Sequence, residues 1–315
     1  MGELSAEVEL IVSDNASTDD TEHVVKVATR YSPIRYSRNA KNVGLCRNIV
    51  RSVQLAKGVF CWTLGDDDFA RPGALKKVVE VLKNYPEVDY VYVNYSHIGL
   101  QELRRLPYPP SSKDLADDLR LDNEDPTERY VSAWEELIDP KINTTFLANM
   151  QPSVTRRSFW SKYSGTLELG ELGSSLDATY PHARVLGSTL VGKRAYYIGK
   201  PLFVVVDGAR EWWDLVTVIR LLRLNDVLDF YERMGVDPAR INRCREYLLK
   251  SSGPWLLQVL TGKSTAGREY FSAPRYFLHY WKYKTLWLSI FETARTYDPP
   301  ICYVASALLR AVRRL

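Results

Sequence analysis

Three consecutive carboxylates, Asp66-Asp67-Asp68, follow the apolar run from Val59 to Leu64 with only Gly65 between them. Adjacent carboxylates repel, and any that are partly buried have raised pKa values. A divalent cation removes that penalty, and the hard ions Mg²⁺ and Mn²⁺ prefer oxygen ligands. A second acidic group, Asp14, closes another apolar run and opens Asp14-Asn15-Ala16-Ser17-Thr18-Asp19-Asp20, a dense set of turn and N-cap residues. A bare acidic triplet is also what a solvated turn before a helix looks like. Its meaning therefore depends on the elements that position it.

Those elements alternate. A strand over 9–13 leads into a helix with Val24, Val27, Ala28 and Tyr31 at i, i+3, i+4 and i+7. A short strand, Ile34 to Tyr36, precedes the loop Asn39 to Gly44. Cys46, Ile49, Val50 and Val53 then mark a helix that closes near Gly58. Beyond the carboxylates, Pro72-Gly73 opens a helix with Leu75, Val78, Val79 and Leu82 on one face, and Val88 to Tyr95 is the next strand. This order predicts an α/β fold, a mostly parallel sheet flanked by helices. In such sheets ligands collect at the carboxyl ends of the strands, where Asp14 and Asp66 to Asp68 both fall.

The later half is less regular. Residues 100–140 carry five prolines and no long apolar stripe, which predicts an insertion or lid with one short helix over 130–138. The spacing then predicts a strand over 146–154, a helix over 156–163 and a helix over 176–186 that holds Asp177, His182 and Arg184. An apolar, β-branched stretch follows over 195–206, with Gly199-Lys200-Pro201 as a turn inside it. From Trp212 the pattern is helical, which divides the chain into a catalytic domain over 1–207 and a helical region over 208–315.

Hydrophobic residues make up 45% of the 315, ordinary for a chain with a real core. The formal charge of +4 is uneven: 17 Lys/Arg against 10 Asp/Glu after residue 207 leaves +7 there and −3 before it. A basic, aromatic C-terminal third fits an anionic surface partner, an interfacial membrane helix, or a helical subdomain with its aromatics turned inward. The amphipathic basic tail, Leu308 to Leu315, favours a peripheral membrane contact. Nucleic acid is excluded as a partner because the basic residues lie away from the acidic motifs. Four scattered cysteines argue against zinc and disulfides, so a reducing, cytoplasmic setting is expected.

Residues 9–95 resemble the nucleotide-binding half of family 2 glycosyltransferases of the GT-A fold. The resemblance rests on Glu9 to Thr21, on Asn-Val-Gly-Leu-Cys-Arg-Asn at 42–48 and on Leu-Gly-Asp-Asp-Asp-Phe-Ala-Arg-Pro-Gly-Ala-Leu at 64–75. It implies that Asp14 binds the donor's base, with Asn15, Asn42, Gly44 and Arg47 also at the donor. It also implies that Asp66 holds the ribose and that Asp67 and Asp68 hold the metal, Mn²⁺ or Mg²⁺. A base lying just before an Arg-bearing helix is similar to Asp177 with Arg184 seven residues on; His182, Glu168 and Glu171 are rivals for that role.

The expected activity is inverting, metal-dependent transfer from a UDP- or dTDP-type sugar to a cell-surface polysaccharide or lipid-linked glycan. One departure stands out. The family's first strand and its nucleotide-contacting turn have no counterpart here, which implies a misassigned start or a truncated, non-catalytic nucleotide-sugar-binding relative. A sugar nucleotidyltransferase fits less well, because its glycine-rich loop is absent.

Overall fold

In the computed structural model, which describes residues 7–208, 213–264 and 269–296, the strand–helix alternation holds through the first hundred residues. β1 (Leu10–Asp14), α1 (Thr21–Ala28), β2 (Ile34–Arg38) and α2 (Leu45–Leu55) come first. α2 buries Cys46, Val50 and Val53 along one face and starts at Gly44, whose φ of 88° is open to glycine at little cost. β3 (Phe60–Trp62) and β4 (Phe69–Ala70) bracket the acidic triplet. α3 (Ala74–Asn84) follows and buries Ala74, Val78 and Val81. β5 (Tyr90–Gly99) and a single helical turn, α4 (Leu100–Leu103), lead into the proline-rich excursion.

The excursion differs from expectation. Residues 130–138 hold β6 (Glu128–Val131) and a 3₁₀ turn, Trp134–Leu137, rather than a helix. Glu136 Oε1 accepts from Ala133 N–H at 3.1 Å and from Ser132 Oγ at 2.5 Å, so the chain turns tightly before Pro140. The strand expected over 146–154 is confined to β7 (Ser153–Arg156). Asn143 Oδ1 accepts from the backbone of Thr145 and Leu147 and curls the chain ahead of it. α5 (Arg157–Tyr163) is as expected. α6 (Pro181–Leu190) starts five residues later than 176, because Pro181 favours the first helical turn and disfavours helix at the residue before it.

β8 (Ala195–Asp207) pairs with β5 in parallel from Tyr90↔Ala195 to Gly99↔Asp207. The expected turn at Gly199 to Pro201 is a bulge within this strand: Ile198 to Phe203 lies opposite Val93 to Tyr95. Buried Asn94 holds the bulge, donating to Asn123 O at 2.7 Å and to Gly199 O at 2.8 Å. Only glycine fits at 199, where an added Cβ would lie 2.4 Å from the carbonyl oxygens of Asp125 and Thr127.

The sheet is mixed rather than mostly parallel. Its order is β3-β7-β5-β8-β4 with β6 also on β8, and every pairing in it except β5–β8 is antiparallel. β1 and β2 form their own two-stranded parallel sheet. Glu9 ties the two, accepting from the backbone of Lys57 and Gly58 at the turn before β3. Helices and the excursion cover the larger sheet: α3 packs with Tyr95, Phe203 and Val205, while Leu115 and Leu119 pack with Ile98, Val204 and Val206.

The chain divides into two compact units, residues 1–210 and 211–315. The second is helical: α7 (Val216–Val218), a π turn Ile219–Arg223, α8 (Leu224–Arg233), α9 (Pro238–Lys250), α10 (Ser252–Leu260), α11 (Ala273–Tyr280) and α12 (Lys284–Thr296). Its core joins Leu221, Leu249, Leu256, Tyr276, Tyr280 and Leu286. Beneath it, buried Arg245 pairs with Asp229 at 2.6 Å and Glu232 at 3.3 Å. The basic tail, Leu308 to Leu315, lies outside the described residues.

Candidate active site

Asp14 ends β1 with its side chain enclosed, 4% exposed. Its Oδ1 accepts from Ser17 N–H at 2.8 Å and its Oδ2 from Tyr36 Oη at 2.5 Å, with Arg38 Nε 3.4 Å away. Burial opposes its ionisation, but the bonds from Tyr36 and Ser17 together with Arg38 hold its carboxyl below the ordinary value. Asp14 is thus a charged anchor for the turn over 14–17, in which Ala16 takes a left-handed φ of 64°.

The asparagines lock this turn to the loop before α2. Asn15 Oδ1 accepts from Val43 N–H at 2.9 Å and from Asn39 Nδ2 at 3.0 Å. Asn15 Nδ2 donates to Asn42 Oδ1 at 2.8 Å, and that oxygen also accepts from Gly44 N–H at 2.8 Å. The structure therefore brings Asp14, Asn15, Asn42 and Gly44 into one zipped pair of loops. A shallow, open cleft lies beside them, between the first turn of α2 and Gly170, Leu172 and Ala178. Arg47 lines it and donates to Leu169 O, while Cys46 Sγ donates to Ala178 O at 3.1 Å. Both bonds pin the loop over 167–178 onto α2.

That loop carries Asp177, which sits in a turn ahead of α6 and is 9% exposed. Its Oδ2 accepts from Glu168 N–H at 3.0 Å, and its Oδ1 lies 3.4 Å from Arg184 Nε. His182 is enclosed, 5% exposed, with Nε2 against Ala148 O and Nδ1 without a partner. Burial pushes its imidazole down to about 4, which keeps it neutral.

At the acidic triplet Asp66 and Asp67 are exposed and Asp68 is half-buried. The pairing of Phe69↔Val204 and Ala70↔Phe203 fixes the triplet over the end of β8. Asp68 Oδ2 is enclosed and makes no hydrogen bond among the described residues. Burial first, and then the charge of Asp67, pushes the Asp68 carboxyl up to about 6; contacts with Gly65, Gln151 and Val206 offset part of this. A partnerless buried oxygen beside a second carboxylate suits a divalent cation. No third acidic, imidazole or thiol group joins them among the described residues. One or two carboxylates are nonetheless what Mg²⁺ uses when substrate phosphates complete its shell.

Sequence reasoning missed a polar shelf beside this triplet. Trp62 Nε1 donates to Gln151 O at 2.7 Å, and Asn149 Nδ2 donates to Tyr95 Oη at 3.0 Å. Phe146 and Leu147, both fully buried, take left-handed φ values of 55° and 65° to shape the turn before them. Such strain persists only where the surroundings over-determine it, and it clusters at functional sites. At the ends of β5 and β8, His97 lies between Asp122 at 3.3 Å and Asp207 at 3.2 Å. The run of side-chain amides at Asn143, Asn149 and Gln151 was the available signal.

Abequosyltransferase RfbV of Salmonella typhimurium strain LT2 is 28% identical over 269 residues, covering 81% of this chain and 74% of that protein. Two solved structures are more distant. S. aureus TarS 1-349 in complex with UDP has 12% identity and a TM-score of 0.49, over 96% of this chain and 78% of that one. The mannosyltransferase PcManGT of Pyrobaculum calidifontis, in complex with GDP-Man and Mn²⁺, has 16% identity and a TM-score of 0.43, over 91% and 76%. Residues 4–140, which contain Asp14, the asparagine-locked loops and the acidic triplet, match the model of Glycosyl transferase family 2.

Proposed function

We propose that the chain transfers a sugar, with inversion, from a UDP- or dTDP-type nucleotide sugar to a polysaccharide or lipid-linked glycan acceptor. The observation that carries this reading is the buried, partnerless Asp68 Oδ2 beside Asp67 within the residues that match the family 2 model. The abequosyltransferase relative supports a glycan acceptor. Peripheral membrane contact belongs to the same reading.

In this mechanism the loops locked by Asn15 and Asn42 seat the nucleoside, with Asp14 fixing their shape and Asp66 facing the ribose. Gly44 and Arg47 present the first turn of α2, whose free backbone N–H groups favour anionic groups. Asp67 and Asp68 would hold Mn²⁺ or Mg²⁺. When bound, such an ion supplies positive charge against the departing diphosphate. Asp177 takes the proton of the acceptor hydroxyl as its oxygen attacks the anomeric carbon and the bond to the diphosphate breaks. Arg184, 3.4 Å from Asp177, aims that carboxylate, while His182, neutral and enclosed, supports the loop through Ala148.

Calorimetric titration with UDP and dTDP, with and without Mn²⁺, tests the reading. Metal-dependent binding is expected, and Asp67→Ala should abolish it. Binding that is unchanged in Asp67→Ala would overturn the metal assignment. A second reading, a non-catalytic nucleotide-sugar-binding relative, draws on the engagement of both Asp177 oxygens by Glu168 and Arg184. Nucleotide binding without transfer to any glycan acceptor would favour it.

A further inference from the structure

The helical unit exposes an apolar stripe that its own core does not use. Leu278 is 77% exposed and Trp281 60%, at the end of α11; on α12 Leu288 is 58% exposed and Phe291 45%. Lys284, Leu288, Phe291 and Arg295 recur at i, i+4, i+7 and i+11, a single face of α12, and all four are exposed. The other side of α12 is already occupied, with Leu286, Ser289, Thr293 and Ala294 buried. The same division runs through α11, whose Tyr276 and Tyr280 enter the core while Arg275 and Leu278 face out. Trp287 Nε1 donates to Trp281 O at 2.8 Å and Phe277 stacks on Trp287 at 5.7 Å, so the joint between the helices is held.

Charge frames the stripe. Between Ala273 and Thr296 there are four Lys/Arg residues (Arg275, Lys282, Lys284 and Arg295) against the single carboxylate Glu292, and all five are exposed. No helix among the described residues is long and apolar enough to cross a membrane. An apolar helix face edged by cations is the pattern that lies in the plane of a bilayer surface, with aliphatic and aromatic groups at the acyl boundary and cations at phosphates. Lys and Arg suit that depth because their stems lie along apolar surface while their heads stay in water. A nucleic acid would leave Leu278 and Leu288 without partners.

We propose that the face formed by Leu278, Trp281, Leu288 and Phe291, with its framing cations, docks on a bilayer surface containing anionic phospholipid. This surface lies on described helices of the second unit, so it stands apart from the donor-site reading. The test is co-sedimentation of the full chain with vesicles of phosphatidylcholine, with and without phosphatidylglycerol. Binding should be stronger with phosphatidylglycerol and fall with salt, because exposed charges are screened within about 10 Å at 0.1 M. The double variant Leu288→Ser/Phe291→Ser should bind about tenfold or more weakly, since two side chains leave the acyl boundary. Lys282→Gln/Lys284→Gln should lose the preference for anionic vesicles. Asp67→Ala should bind vesicles as the parent does, which separates this surface from the nucleotide site. A parent chain that stays in the supernatant would overturn the proposal, as would a Leu288→Ser/Phe291→Ser variant that binds unchanged. A dimer by analytical ultracentrifugation that the same variant converts to monomer would also overturn it, by assigning the stripe to a second copy.

Discussion

His97 and His182 are both largely enclosed, and their surroundings move their pKa values in opposite directions. Burial works against a charged His97, yet hydrogen bonds to Asp122 and Asp207, with the charge of Asp207, outweigh it and raise its pKa despite Arg120 nearby. The folded chain therefore holds a proton at His97 that the unfolded chain releases above about 6.5, so this stability is present below that pH and is lost as pH rises. His182 runs the other way. Its folded value of about 4 means that only the unfolded chain takes up the proton, and stability is lost as pH falls from the ordinary imidazole value toward 4. Urea midpoints across this range should flatten on the alkaline side in His97→Gln and on the acidic side in His182→Asn. Asp177 carries a separate prediction. Asp177→Asn keeps the shape of the side chain, so nucleotide binding should persist while transfer falls on the order of 10²–10⁴-fold. Near-normal turnover would move the base to Glu168 or Glu171. Asp14 and Asp66 to Asp68 could be found from residue type and position alone. The partnerless Asp68 oxygen could not, because its burial comes from β4 pairing with β8.

In the helical unit α10 approaches α12 closely at a glycine. Gly253, in the first turn of α10, donates its N–H to Ser289 Oγ at 2.9 Å, and an added Cβ would lie 2.2 Å from Thr293 Oγ1 and 2.3 Å from Ser289 O. Gly253→Ala must push α10 from α12 and should cost about 1–3 kcal/mol. Gly165→Ala, where nothing lies within 4 Å of an added Cβ, should cost far less in the same denaturation experiment. Helices such as α2 and α3 were legible because their apolar residues recur at helical spacing and meet one surface. β4 and β6 were not: two to four residues carry little pattern, and both exist only because β8 offers them a partner. The late start of α6 leaves Asp177 in a turn, which apolar spacing over 176–186 could not reveal. The curled chain at 143–152 was hidden likewise, since its shape comes from Asn143 capping two backbone N–H groups.

At the scale of the whole molecule, two units with separate cores and formal charges of −2 over residues 1–210 and +6 over 211–315 invite separate responses. Cooperative unfolding follows a shared core, so calorimetry should resolve two transitions. A nucleotide with Mn²⁺ that binds only the folded first unit stabilises it by mass action, about 2.7 kcal/mol at a hundredfold excess over Kd. For a unit of about 200 residues that is roughly 5–10 °C in the first unit's transition, with the second unmoved. Gly253→Ala should do the reverse, lowering the second transition and leaving the nucleotide-sensitive one in place. Asp67→Ala should cancel the nucleotide shift without moving either apo transition down, because Asp67 is exposed and its like-charge neighbour Asp68 is relieved by its loss. A single transition that moves as one under both perturbations would mean that the helical unit folds only with the first.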